Sequence, residues 1–151
     1  MANRAIDTAQ ALAADLNAQS FMPDDTSASV EFVTWARLRS MSSETYIVSV
    51  TPDQLEDLDG ARGGRFEQLT NVVTIAKRVS DVDTSTLTAL LDLELDIRDR
   101  YADDVETLNG GTVEQVTVGG GSGFLFDRTE LVESGIFVAT VEIVTKHAPI
   151  T

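Results

Sequence analysis

Cysteine is absent from the 151 residues, and histidine occurs only once, as His147. Without cysteine the chain can form no disulfide, no thiolate zinc site and no cysteine nucleophile. A single histidine cannot by itself make a usual zinc site, and histidine-based catalysis needs a partner that this chain does not supply. A chain of this length buries enough surface to fold without such cross-links.

Long hydrophobic runs are also missing. No apolar stretch approaches the roughly eighteen residues that a membrane helix needs. The first twenty residues carry Asp7 and Asp15 where a signal peptide has an unbroken apolar segment. From these features we expect a soluble protein that is not secreted by a classical route, folded as one domain over residues 1–151.

Positive charge is scarce in this sequence. There are 11 Lys and Arg residues against 25 Asp and Glu residues, which gives a net charge of −14. Such a surface repels the phosphates of nucleic acids. Three interpretations of the acidity remain open: a solubility coat in a GC-rich or halophilic host, a wall past which DNA slides without adhering, and a DNA mimic that occupies a basic partner.

Hydrophobic periodicity predicts two helices, over residues 4–18 and 84–103. One face of the second helix carries Leu87, Leu90, Leu93, Ile97 and Tyr101, and Asp83, Thr84 or Ser85 can cap its start. Leu91 and Leu95 lie away from that face, so we expect them to point towards a neighbouring subunit. The rest of the helix is densely acidic.

Alternating apolar residues predict five strands, over 30–38, 45–51, 66–79, 112–118 and 136–146. Ser40–Glu44 suits a hairpin turn, and Pro52 is expected to end the second strand. Together the elements predict an α+β domain in which two main helices pack on one face of an antiparallel or mixed sheet.

Asp53–Gly64 is rich in Gly and Asp, and it predicts a mobile loop that projects from the sheet up to Phe66 and contacts another subunit. Arg62 and Arg65 in this segment could pair with acids on a neighbouring copy or could be solvated. Trp35 is expected on the same strand face as Val33, as a half-buried core residue or a subunit contact.

The run Gly119–Gly123 lacks the Lys-Ser/Thr ending of a phosphate-binding loop and predicts the tip of a hairpin. The acidic residues could hold a hard cation, but none shows the spacing of an EF-hand loop. Paired carboxylates could serve glycoside chemistry, although no specific pair stands out. We therefore predict no catalytic, cofactor-binding or metal-binding residues, no cofactor and no enzymatic activity.

The order of the elements resembles a known family. An N-terminal helix precedes a strand pair that ends in Val48–Pro52, a variable Arg-bearing segment leads to a strand around Val72–Ile75, and the Leu-rich helix Leu87–Tyr101 precedes a strand that opens with Gly135–Phe137. This arrangement is similar to that of the tail terminator, or tail-completion, proteins of long-tailed bacteriophages. The resemblance covers most of the chain and lies in the order of the elements and in the pattern of hydrophobic residues.

The resemblance implies a virion structural protein without enzymatic residues. It implies a homo-oligomeric, hexameric ring that stops tail-tube growth and joins the tail to neck or connector proteins, assembled in the host cytoplasm, with DNA passing through the lumen. Two alternatives from other classes stay open, an acidic binding module such as a DNA mimic and a small enzyme with a carboxylate site. Another neck or connector role is also compatible with the sequence.

Overall fold

The chain folds into four helices and five strands in the part that the structure describes. The structure is a computed structural model, and it describes residues 4–24, 26–41, 46–59, 65–79, 83–102, 113–118 and 125–147. The elements are α1 (Arg4–Asn17), β1 (Ala28–Val30), α2 (Trp35–Ser40), β2 (Tyr46–Asp59), β3 (Arg65–Arg78), α3 (Thr84–Ala102), β4 (Val113–Val118), α4 (Arg128–Ser134) and β5 (Ile136–His147).

The five strands form one mixed sheet in the order β1-β2-β3-β5-β4. β1 runs parallel to β2, and the other three neighbouring pairs are antiparallel. β3 is the centre of the sheet, because it pairs with β2 from Arg65 to Lys77 and with β5 from Glu67 to Arg78. The predicted α+β fold with a mixed sheet is confirmed.

The two main helices pack on one face of this sheet, as predicted. Successive residues of a strand point to opposite faces, so each face is lined by every second residue. Val48, Ile75 and Ala139 are directly paired across three strands and belong to the same buried cluster as Leu12 of α1 and Ile97 of α3. The main core therefore lies between the sheet and these two helices.

The opposite face of the sheet is also partly covered. Ile47, Ala76 and Val138 are paired neighbours on this face, and Leu38 of α2 packs against them. A second, smaller core therefore lies under α2, which the sequence did not predict as a helix.

Polar contacts join α1 to α3. The Arg100 guanidinium donates to both carboxylate oxygens of Asp15, from Nε at 3.2 Å and from Nη2 at 2.9 Å. The buried Tyr101 hydroxyl donates to the same carboxylate at 2.7 Å. Burial, followed by the bond to Asp15, raises the pKa of Tyr101 above its ordinary value. The bidentate geometry fixes how the two helices lie beside each other.

α3 begins as the sequence predicts, since Asp83 accepts hydrogen bonds from the Thr86 N–H and the Ser85 hydroxyl. That capping, led by the Thr86 N–H, lowers the pKa of Asp83. Leu91 is half-buried against the main core, which corrects the expectation that it points to a neighbouring subunit. Leu95 is 44% exposed and stays available for such a contact.

The predicted strand over 30–38 is wrong. Only Ala28–Val30 is a strand, and α2 begins at Trp35 because the Thr34 side chain accepts the Arg37 N–H at 3.3 Å as an N-cap. The alternation of apolar residues was misleading here, since Phe32 is largely exposed. The hairpin expected at Ser40–Glu44 is also wrong, because β1 and β2 are parallel. Residues 42–45 lie outside the described residues.

Pro52 does not end the second strand. β2 continues to Asp59, so residues 53–59 of the predicted mobile loop are strand. The pairing shifts by one residue between Pro52 and Gln54, and a bulge is one of the places where a sheet accepts proline. Residues 60–64 lie outside the described residues.

The sequence also missed α4. The Asp127 side chain accepts the Glu130 N–H at 3.0 Å at the start of this helix, and Gly135 ends it with a left-handed φ of 67°. A Cβ at Gly135 would come within 3.3 Å of the Val79 carbonyl oxygen. β4 and β5 pair as expected, but α4 lies between them in the chain. The predicted turn at Gly119–Gly123 lies outside the described residues.

Two substitutions in α3 test this packing. Leu90→Ala should destabilise the fold by about 2–5 kcal/mol, because Leu90 is fully buried in the main core and its truncation leaves a cavity. Leu95→Asp should leave the subunit folded, because its position is exposed. Urea unfolding monitored by circular dichroism measures both free energies. A Leu95→Asp chain that unfolds outright would show that Leu95 belongs to the core.

Candidate assembly site

At one end of the sheet β2 is the edge strand, while β5 pairs with the other side of β3 as far as Glu67. We call residues 53–59 of β2 and 65–70 of β3 the β2–β3 arm, and they pair from Gln54↔Thr70 to Asp59↔Arg65. β1 pairs with β2 only at Val48–Val50, so within the described chain this part of β2 has β3 as its one strand neighbour. An edge strand of this kind offers free backbone groups to a partner.

The arm combines acidic charge with an exposed apolar residue. Residues 53–59 read DQLEDLD, with four acids and no base. Asp53 and Glu56 are exposed, and Leu55 is 61% exposed although its cross-strand partner Leu69 is buried. An exposed leucine at the edge of a sheet is available for contact with another chain.

A second surface lies on and beside α2. We call Phe32, Trp35, Arg37 and Arg39 the α2 patch. Phe32 is 78% and Trp35 45% exposed, and the Arg39 guanidinium lies 6.0 Å from the centroid of the Trp35 ring. Trp35 is therefore a surface residue at the start of a short helix and does not share a strand face with Val33.

Ion pairs and hydrogen bonds hold the arginines of the α2 patch in place. Arg37 pairs with Glu31, and Arg39 pairs with Glu130 of α4 at 3.5 Å. Arg78, at the end of β3, donates a hydrogen bond to the Arg39 carbonyl oxygen. About half of each arginine side chain in the patch still faces solvent. The α2 patch is thus an ordered surface that offers aromatic rings and guanidinium groups together, a composition enriched at protein interfaces.

A third surface is the outer side of α3. Asp92, Asp96 and Asp99 are exposed and spaced so that they lie along one side of the helix, and we call them the α3 stripe. Leu95 is exposed among them. This confirms a negative face on the second helix for the acids that the structure describes.

One acid of α3 is not on that face. Glu94 is fully buried, and its carboxylate lies 3.5 Å from the Arg98 guanidinium. Arg98 also reaches the Thr140 carbonyl oxygen of β5 at 3.4 Å. Burial raises the pKa of Glu94, and the nearby Arg98 opposes that shift. The buried carboxylate therefore makes α3 sensitive to pH.

His147 lies in the interior at the arm end of the sheet. Its Nε2 is 2.8 Å from the Thr145 hydroxyl, and that hydroxyl donates to the Leu69 carbonyl oxygen at 3.4 Å. Burial, and then the positive charge of Arg4, lowers the pKa of His147, so the ring is neutral near pH 7. The Arg4 guanidinium itself pairs with Glu67. This arrangement is that of a buried structural histidine.

The absence of catalytic, cofactor-binding and metal-binding residues stays a prediction. Within residues that the structure describes, no group of three or more His, Asp or Glu side chains is placed to hold a metal ion. None of the described helices is long and apolar enough to cross a membrane. The side chains of Arg62, Arg65, Asp57 and Asp59 lie outside the described residues.

The sequence indicates part of the surfaces described above. It points to Trp35, Leu95 and the 53–66 segment, but it does not single out Leu55, and it places Phe32 in a strand over 30–38. The sequence does contain one indication that Leu55 is exposed. In DQLEDLD this leucine stands among acidic and polar residues and belongs to no periodic apolar pattern. Phe32 is exposed because it lies in the connection through α2 between the parallel strands β1 and β2. The alternation of apolar residues does not predict that connection.

The fold is similar to that of a chain in a solved structure described as "Virion of native gene transfer agent (GTA) particle". The TM-score is 0.63 at 10% sequence identity, and the match covers 97% of this chain and 100% of that chain. At this identity the likeness is one of fold. No protein-family model matches the chain, and no curated protein matches it.

Glu94→Gln tests the cost of the buried charge. The pKa of Glu94 is raised in the folded state, so its ionisation above that pKa lowers stability, and protonation relieves this cost as pH falls towards the ordinary value of 4.5. The Gln variant should therefore be more stable than the parent at pH 7, and the difference should shrink as pH falls to 4.5.

Thermal unfolding at several pH values measures this difference. Asp96→Asn is the matched control, because Asp96 is an exposed acid on the same helix and its replacement should change stability little. A Gln variant that is less stable at pH 7 would mean that the attraction of Arg98 outweighs the desolvation of Glu94.

Proposed function

We propose that this protein is a structural subunit of a phage-like virion, of the tail terminator type. It forms a homo-oligomeric ring of six copies at the head–tail joint. The ring ends tail-tube growth, contacts the tail-tube protein and the neck or connector proteins, and lets the genome pass through its lumen without specific binding. This role requires no cofactor and no catalytic residue.

One observation carries the proposal. A chain of a gene transfer agent virion shares this fold over essentially its entire length. Because the match covers nearly all of both chains, the likeness is not limited to a shared fragment. The order of the elements, which resembles that of tail terminator proteins, supports a position at the head–tail joint of the virion.

The surface of the subunit suits an assembly role. Phe32, Trp35, Leu55 and Leu95 are large apolar residues that the chain's own core does not cover. They are distributed over three separate places, the α2 patch, the β2–β3 arm and the outer side of α3. A subunit of a ring needs contacts on two sides for its neighbours and on further surfaces for other proteins.

The α3 stripe gives the acidity a function in such a ring. Its three carboxylates lie along one side of a helix, and carboxylates that face a lumen keep DNA phosphates from adhering. The same stripe favours the rival hypothesis of a DNA mimic, which would present carboxylates to a basic partner. Light scattering separates the two, because a mimic is expected as a monomer or dimer and the ring as about six copies of a 16.3 kDa chain.

Deletion of the gene tests the position in the virion. Without the terminator, tail tubes should continue to grow and should not join heads, so electron microscopy should show tails of irregular length and unattached heads. Expression of the unmodified chain from a plasmid should restore complete particles. Uniform tails that are joined to heads in the deletion strain would contradict the tail terminator assignment.

Charge reversal tests whether the α3 stripe lines the lumen of the ring. In particles whose subunits carry Asp92→Lys, Asp96→Lys and Asp99→Lys, DNA ejection should slow, most strongly at low salt where screening is weakest. Asp7→Lys with Glu133→Lys is the control, since both are exposed acids outside the α3 stripe. Normal ejection by particles with the reversed stripe would show that these acids do not line the lumen.

A further inference from the structure

The outer edge of β2 is covered by the chain itself only along the first half of the strand. β1 pairs with Val48–Val50, and the Thr51 hydroxyl then donates to the Glu31 carbonyl oxygen at 2.7 Å. Phe32, the next residue, therefore lies beside Pro52. The chain then continues into α2, whose buried side packs near the start of β2.

The second half of that edge is open within the described chain. Residues 54–59 pair with β3 in an unbroken register from Gln54↔Thr70 to Asp59↔Arg65, and β1 does not reach them on the other side. Six residues of strand correspond to roughly 20 Å at 3.3 Å per residue. This stretch, which we call the open edge, therefore presents backbone N–H and C=O groups over the length of one further strand.

The open edge lies in an acidic segment. Residues 53–59 carry four acids and no base. Asp53 and Glu56 are exposed, and neither takes part in the ion pairs that the described residues form. The charge of these two carboxylates is thus available to a cationic partner.

Two apolar side chains border the open edge. Phe32 is 78% exposed at its start, and Leu55 is 61% exposed within it. Because Phe32 lies beside Pro52, the two are separated by roughly three residues of strand, or about 10 Å. A strand that adds to an edge gains affinity from main-chain hydrogen bonds, and the side chains at its alternate positions contact such groups and give specificity.

Charged side chains can also protect an edge against unwanted pairing, most often as lysine. An edge that is only protected does not need exposed apolar side chains, whereas Leu55 and Phe32 are uncovered here. Acidic charge, free backbone groups and apolar surface occur together along one regular stretch of strand. This combination fits a binding edge better than a protected one.

We propose that the open edge binds an extended, basic segment of a partner protein, which adds a strand to the sheet along residues 54–59. Lysine or arginine side chains of that segment pair with Asp53 and Glu56, and its apolar side chains cover Leu55 and Phe32. A second copy of this chain does not supply the required charge, because its net charge is −14 and five of its arginines already pair with acids in their own subunit.

The inference rests on the proposed function in one respect, since it takes the partner to be another protein of the same particle. It adds the chemistry of that partner and the surface that receives it. It does not require the subunit to lie at the head–tail joint.

A synthetic peptide tests the open edge. The probe alternates lysine and valine over seven residues with both ends blocked, and isothermal titration calorimetry measures its binding to the whole chain. Glu56→Lys should weaken binding about tenfold, because it places like charges across the contact. Asp96→Lys, the same change at an exposed position of α3, should alter binding little. Equal losses in the two variants would reveal attraction by net charge alone and would overturn the inference.

The apolar contact has its own variant. Leu55→Ala should weaken binding of the same peptide several-fold, because it removes apolar surface that the added strand covers. Leu95→Ala is the matched control, since Leu95 is also exposed but lies on α3. Circular dichroism checks that both variants fold. A folded Leu55→Ala chain that binds the peptide as tightly as the parent would overturn the placement of the segment on this edge.

Methylation of the peptide backbone distinguishes strand addition from simple charge attraction. Successive N–H groups of a strand point to opposite sides, so only every second one can bond to β2. Peptides that are N-methylated on one alternate set should fail to bind, and peptides methylated on the other set should bind as the parent peptide does. Binding by both sets, or by neither, would overturn strand addition.

The state of assembly, measured by analytical ultracentrifugation, identifies other occupants. A parent chain that binds no peptide would show that the acids only protect the edge, and release of assembled copies by the peptide would show that a second copy occupies it. Either result overturns the inference and leaves the tail terminator role standing. Specific peptide binding, together with uniform joined tails in the deletion strain, would refute that role and leave the binding edge standing.

Discussion

The pairing of β3 with β2 and β5 is the interaction on which the rest of the structure depends. β3 pairs with β2 from Arg65 to Lys77 and with β5 from Glu67 to Arg78. Because side chains alternate along these strands, the register places Val73 and Ile75 under α1 and α3 and places Ala76 under α2. Residues 53–59 of β2 extend past β1 and form the exposed edge of the arm.

The long elements could be predicted from the sequence because each carries its signal internally. α1, α3, β3 and β5 have apolar residues at the spacing of a helix or a strand over ten or more positions, and the structure reproduces their bounds within one or two residues. The periodicity persists in these elements because one side of each is buried against the same core. Prediction was therefore reliable where burial is one-sided and continuous.

The short helices could not be predicted because local hydrogen bonds and distant contacts decide them. α2 has six residues and α4 seven, and each buries a single leucine, Leu38 or Leu131. Neither is long enough to show a period, so the caps at Thr34 and Asp127 decide where the helices start. The prediction that Pro52 ends the strand was wrong for a related reason. The bulge that accommodates this proline exists only in the pairing of β2 with β3.

The candidate surfaces were predictable in part. Trp35 was expected in a strand, as a half-buried core residue or a subunit contact, and the arm segment was expected as a mobile loop that contacts another subunit. Glu94 was counted with the outward-facing acids, yet it lies four residues after Leu90 and three before Ile97, which both belong to the buried side. That spacing places Glu94 on the inner side of the helix. The sequence therefore predicts its burial from the helical period, although the many acids around it suggest exposure.

Charge sets the condition under which such subunits can associate. Arg4 and Arg100 pair with acids of other elements and join α1 to β3 and to α3, and Arg98 pairs with Glu94 within α3. In contrast, Asp53 and Glu56 of the arm and the acids of the α3 stripe are exposed. Copies with a net charge of −14 repel one another at long range. At physiological salt this repulsion decays over about 8 Å, so short-range contacts decide whether the copies bind.

Only a contact that brings opposite local charges together and also buries apolar surface can then outweigh the remaining repulsion. Exposed apolar side chains suited to such a contact lie on the α2 patch, on the β2 edge of the arm and on the outer side of α3. The acids left outside such a contact would remain free to keep phosphates at a distance.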